Sequence, residues 1–168
     1  MSTTASRLAG VAVASAIACG LSGPASAQLL VHKDISLAMA TTIARTTIEA
    51  CKAQGYAVSV HVLGREGQVI LAVRHENASI ITFENSLKKA YTARTFSRSS
   101  GEFGDGVSKN PNVAGALSLT NITTARGALP VKVGNETIGA VGVSGAPGGE
   151  KDEACAQAGI DKVAADLQ

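Results

Sequence analysis

The stretch "IGAVGVSGAPGGEKDEACAQAGI", residues 138–160, places six glycines in twenty-three positions and then runs into charges. A track of this kind either cradles a phosphate or lets a strand turn into a helix. Val141 and Val143 alternate with Ala140 and Gly142, so the first part is a strand whose second face is small enough for close approach by another backbone. Pro147-Gly148-Gly149 makes the turn, and Glu150, Asp152 and Glu153 fall in the first turn of the helix that follows. A phosphate there would meet three like charges. No Gly-Lys-Ser/Thr follows, and the glycine spacing fits neither the dinucleotide fingerprint nor the P-loop. The stretch is a structural strand–turn–helix.

Working outward, "ALPVKVGNETIGAVGVSG" (Ala128 to Gly145) reads as a hairpin about Gly134-Asn135. Val58, Val60 and Val62 alternate with Ser59, His61 and Leu63. "GREGQ" (Gly64 to Gln68) is a turn, and "VILAVRH" (Val69 to His75) is the returning arm. Ser36 to Gln54 repeats its apolar residues at helical steps, with Asp34 or Ser36 as cap and Gly55 as stop. Ser79 to Phe96 is a second helix, and Glu150 to Leu167 closes the chain as a third. Ser97 to Asn112 reads as a long loop holding at most a short helical turn, of the kind that binds ligands or is ordered by a partner subunit. The order is α-β-β-α-loop-β-β-α, an α+β arrangement.

The first 27 residues read as a signal peptide. Arg7 supplies the positive n-region, Leu8 to Leu21 is apolar and uncharged, and Ser26-Ala27 completes an A-x-A pattern with Ala25. The apolar stretch is too short and too small-residued to span a membrane. Cleavage after Ala27 leaves one domain, residues 28–168 (168 − 27 = 141 residues), in the periplasm or outside the cell. Without Arg7 the balance is 14 basic to 13 acidic residues, and Trp is absent; nucleic acid is not an expected partner. Cys51 and Cys155 remain after cleavage. In an oxidising compartment they form a disulfide between the first helix and the last, the alternative being two buried thiols.

No histidine or cysteine falls at zinc-site spacing, and no nucleophile–base pattern marks a catalytic centre. Three histidines stand alone. His32 precedes the first helix, where an exposed arm residue is the plain reading. His61 is mid-strand, where a core histidine bonded to a backbone group is expected. His75 ends a strand and opens a loop, a place where ligand-binding residues often sit. Each has the chemistry of an axial haem ligand. On the middle helix, Lys88, Thr92 and Thr95 fall at i, i+4 and i+7, with Lys89, Arg94 and Arg98 nearby. That stripe is either a solvated face or a cationic wall for the carboxylates of an acidic ligand such as haem.

"KKAYTARTF" (Lys88 to Phe96), "GALPVKVGNETIGAVGVSGA" (Gly127 to Ala146) and "DEACAQAGI" (Asp152 to Ile160) resemble the GlcG/HbpS/PduO C-terminal family of haem-binding or haem-degrading domains. The likeness runs over about residues 34–167. It departs at "GREG", where the family often has an Asp-containing turn, and at "RHENA", where His75 replaces a residue that is usually not histidine. The resemblance implies a profilin-like sandwich with a five-stranded antiparallel sheet flanked by helices, assembled as dimers up to octamers. It implies haem as cofactor, with an axial ligand that varies among relatives and is drawn from a histidine near the first helix or a threonine on the middle helix. Carried over, these are His32 and Thr95 or Thr92, with Lys89 in the same motif and Arg94 on the cationic stripe beside it; His75 is either a ligand private to this chain or a surface residue. The implied role is an exported protein that stores, carries, senses or slowly degrades haem, with no residue marked as catalytic. The alternative is an oligomeric accessory module that binds a small organic acid or a partner protein without haem.

Overall fold

The computed structural model describes residues 28–168, so the expected signal peptide lies outside the described residues. Residues 28–31 carry no regular structure, and the folded unit runs from His32 to Gln168.

Helix α1 (Leu37–Lys52) begins where the Ser36 hydroxyl accepts the Met39 N–H. That satisfies one of the N–H groups a helix start leaves unpaired. Asp34 has a different task. Its carboxylate accepts the backbone N–H groups of Ile35 and Arg65 and the Gln68 side chain, tying the chain entry to the Gly64–Gln68 turn. Burial is the largest single influence on Asp34 and raises its pKa, but the three hydrogen bonds together carry it below the ordinary value.

Strands β1 (Ser59–Leu63) and β2 (Val69–Arg74) form one hairpin, and β3 (Ala128–Val133) and β4 (Glu136–Ser144) form the other. All pairings are antiparallel, in the order β2-β1-β4-β3, so β1 and β4 lie at the centre. The sheet therefore has four strands, not the five implied by resemblance. The chain between the hairpins is otherwise occupied. Residues Ser100–Lys109 form helix α3 and Pro111–Ser118 a 3-10 helix. In the extended segment beyond, the N–H groups of Thr123 and Ala125 go to the hydroxyls of Thr92 and Thr123 rather than to a strand ladder.

The expected loop at Ser97 to Asn112 is corrected in the same way, because it holds a ten-residue helix. A reciprocal capping box of Ser99 and Glu102 opens α3, and Phe103 anchors it by stacking on Phe96 with centroids 4.3 Å apart.

One face of the sheet presents Val58, Val60, Val62, Val131, Val141 and Val143 to α1 and to α4 (Gly149–Asp161). A disulfide joins Cys51 to Cys155 between those two helices, with Cα atoms 5.5 Å apart. Helix α2 (Ile80–Phe96) covers the other face, which is lined by Ala140, Gly142, Ser59 and His61. Gly142 lies directly under the Ser86 carbonyl and Ala90, where any Cβ would collide with helix backbone. This is the close approach that the small residues of β4 predict.

Candidate functional site

The α2 residues singled out in the sequence do not form one wall. Lys89 is only 4% exposed. Its Nζ donates to Asp152 Oδ2 at 2.8 Å and to the Val143 carbonyl at 3.0 Å. Asp152 Oδ1 accepts the Ala146 N–H at 3.0 Å. The pair thus fastens the glycine turn at the head of α4 to α2. Burial pushes the Asp152 carboxyl above the usual carboxylate value, and Lys89 pulls against it.

Thr92 is also buried, donating to the Lys88 carbonyl and accepting from the Thr123 N–H. Thr95 is exposed, Arg94 is half-buried with a buried Nε that has no partner among the described residues, and Lys88 pairs with Glu84 at 2.6 Å. His32 is exposed ahead of α1.

His61 is buried under α2, and its Nδ1 lies 2.8 Å from Ser86 Oγ. The Ser86 hydroxyl donates its one proton to the Phe83 carbonyl at 2.9 Å, so Nδ1–H is the donor in the His61–Ser86 bond. The partner is a side chain where the sequence reading expected a backbone group. Burial pushes the His61 pKa down to about 4, which keeps the ring neutral.

His75 is placed differently. It stands at the end of β2 with its side chain 12% exposed, in the lining of a cleft of about 380 Å³ between α1 and β2. Ala44 and Ile48 from α1 and Leu71 and Val73 from β2 supply an apolar lining. Arg45, Lys52, Glu49 and Glu76 bring charge to the same cleft, and Arg45 Nε lies 3.7 Å from Glu49 Oε1. Such an exposed pair contributes well under about 1 kcal/mol, so Arg45 is readily drawn to another anion.

The His75 ring has two close neighbours. Nδ1 accepts the Asn77 N–H at 3.2 Å and lies 3.6 Å from Glu76 Oε2. An apolar lining, two flexible cations and an imidazole suit a flat, largely apolar acid with a group for the imidazole to bind.

Sequence reasoning missed Arg45 and Lys52, although their seven-residue spacing puts them on one stripe of α1. It also did not use the fact that Leu71, Val73 and His75 share one face of β2 by simple alternation.

Residues 35–161 match the family described as "Haem degrading protein HbpS-like". A Citrobacter freundii protein, described as an uncharacterized 15.0 kDa protein in the dhaT-dhaS intergenic region, is 33% identical over 130 residues. The match covers 76% of this chain and 90% of that protein. Among solved structures, Klebsiella pneumoniae protein ORFY is similar at 29% identity with a TM-score of 0.76, covering 83% of this chain and 97% of its own. The crystal structure of HbpS is similar at 28% identity with a TM-score of 0.74, covering 80% and 93%. The family match spans residues 35–161, most of the described chain, and this chain belongs to the HbpS-like haem degrading protein family.

Proposed function

We propose that this protein is an exported, oligomeric haem-binding protein that stores, carries, senses or slowly degrades haem. The observation that carries the reading is the family match over residues 35–161, supported by the likeness to HbpS. The donor chemistry of the α1–β2 cleft fits such a group. His75 offers a ring nitrogen to iron, Ala44, Ile48, Leu71 and Val73 offer an apolar wall, and Arg45 and Lys52 offer cations to two carboxylates.

A volume of about 380 Å³ is at the small end of ligand pockets, which run from roughly 300 to 1,000 Å³. The cleft therefore takes one edge of a macrocycle, and a second subunit covers the remainder. Exposed Ile80, Ile81, Phe83, Leu117 and Leu119 support assembly, since apolar side chains this exposed are commonly covered by a partner. The same small volume favours the second reading, a module for a smaller organic acid.

Haemin titration of the purified protein separates the two. The haem reading expects a saturable Soret band at one haem per subunit or per pair, with a mass in solution above that of a monomer. Displacement of nothing but a small carboxylate, with no saturable band, selects the second reading. Export is checked by the intact mass of the protein recovered outside the cytoplasm, which is expected to begin at Gln28.

A further inference from the structure

We infer that His75 Nε2 is the iron-binding atom of the α1–β2 cleft, and that Glu76 is a positioning residue that selects the ring tautomer ligation requires. This rests on the haem reading above and goes beyond it by assigning the atom and the switch.

The ring's proton decides which nitrogen is free to bind a metal. A neutral imidazole carries one N–H, and the nitrogen without it is the acceptor. Nδ1 of His75 accepts the Asn77 N–H, so the ligand-free ring carries its proton on Nε2. In that state Nε2 has no lone pair for a metal. Binding through Nε2 requires the proton to leave that nitrogen and one to be taken up at Nδ1, with no change in the ring's net charge. The Asn77 N–H then faces another donor, and the hydrogen bond is lost.

Glu76 resolves the conflict. Its Oε2, at 3.6 Å, needs only a small side-chain movement to accept Nδ1–H. A carboxylate behind a metal-bound histidine fixes the tautomer and makes the ligating nitrogen more basic. The other two histidines lack this arrangement. His32 stands exposed on the entering chain, and His61 is enclosed beneath α2. Arg45 and Lys52 add charge complementarity for a dicarboxylate at the same cleft.

Two measurements test the inference. In the ligand-free protein, nitrogen-15 imidazole shifts are expected to report Nε2–H for His75; Nδ1–H there would overturn the switch. In haemin titrations, H75A is expected to lose or shift the wild-type Soret band. E76Q is expected to weaken affinity roughly 10–100-fold and to change the electron paramagnetic resonance signature of the ligated imidazole. E84Q, on α2 and outside the cleft lining, serves as the charge control and should leave that signature unmoved. Melting curves confirm that each variant folds. A wild-type band that survives H75A overturns this inference alone. No saturable band in the wild type overturns the haem reading and this inference with it.

Discussion

The two faces of the sheet are built from different materials. Toward α1 and α4 it presents valines, and the layer is stapled by Cys51–Cys155. Toward α2 it presents Gly142, Ala140, Ser59 and His61, held by the Ser59–Thr82 hydroxyl pair, the His61–Ser86 hydrogen bond and the Lys89–Asp152 ion pair. The apolar face gains stability from area and is indifferent to which small shift its side chains make. The polar face allows only one seating of the helix, because each buried donor must meet its acceptor. The cleft opens where the apolar face runs out, at edge strand β2.

This contrast gives a ranked set of tests by chemical denaturation. The largest effect belongs to the staple. Replacing Cys51 and Cys155 together by Ala releases a cross-link spanning 104 positions, with an expected loss of about 4–5 kcal/mol on the chain-entropy scale. A loss below about 1 kcal/mol would break the contrast, placing the hold between α1 and α4 in packing alone.

Next, Lys89→Met leaves the Asp152 carboxylate buried and uncompensated, at a cost of about 3–5 kcal/mol. Adding Asp152→Asn removes that charge while leaving an acceptor for the Ala146 N–H, and most of the loss should return. No recovery would mean that α2 is seated by something other than the pair.

The third test uses pH. The His61 value of about 4 in the folded protein lies below the ordinary 6.5, so its stabilising contribution is complete above pH 6.5 and is lost as pH falls toward 4. The size is about 3 kcal/mol, at roughly 1.4 kcal/mol per pH unit. His61→Asn, which keeps a donor toward Ser86, should flatten the stability profile across that window. An unchanged slope would place the titration elsewhere.

Smallest of the four, Gly142→Ala pushes a methyl into the Ser86 carbonyl and Ala90, with an expected cost of about 1–3 kcal/mol. An equal-volume change on the other face, Val60→Ile, tests whether the apolar side tolerates an added methyl better.

Local pattern carried most of the architecture. Alternation at Val58, Val60 and Val62 and at Val141 and Val143 marked both central strands, and helical spacing marked α1, α2 and α4. Helix α3 was hidden because Gly101, Gly104 and Gly106 lower its helical propensity and Phe103 is its only large apolar anchor. Its Ser99–Glu102 box was the legible signal. The fifth strand came from resemblance, whereas the residues themselves spell only two hairpins.

The site was harder to read for a non-local reason. Whether Lys89 faces solvent or core depends on Asp152, sixty-three positions away. Arg45 and Lys52 meet His75 only because α1 lies along β2. Periodicity places side chains on a face, but it does not say which other element that face will meet.

The position of iron in crystals grown with haemin, located by anomalous scattering at the iron edge, decides the matter most directly. A peak within bonding distance of His75 Nε2, at the α1–β2 cleft, is the expected result. A peak beside His32, ahead of α1, or along the Thr92–Thr95 side of α2 would contradict it.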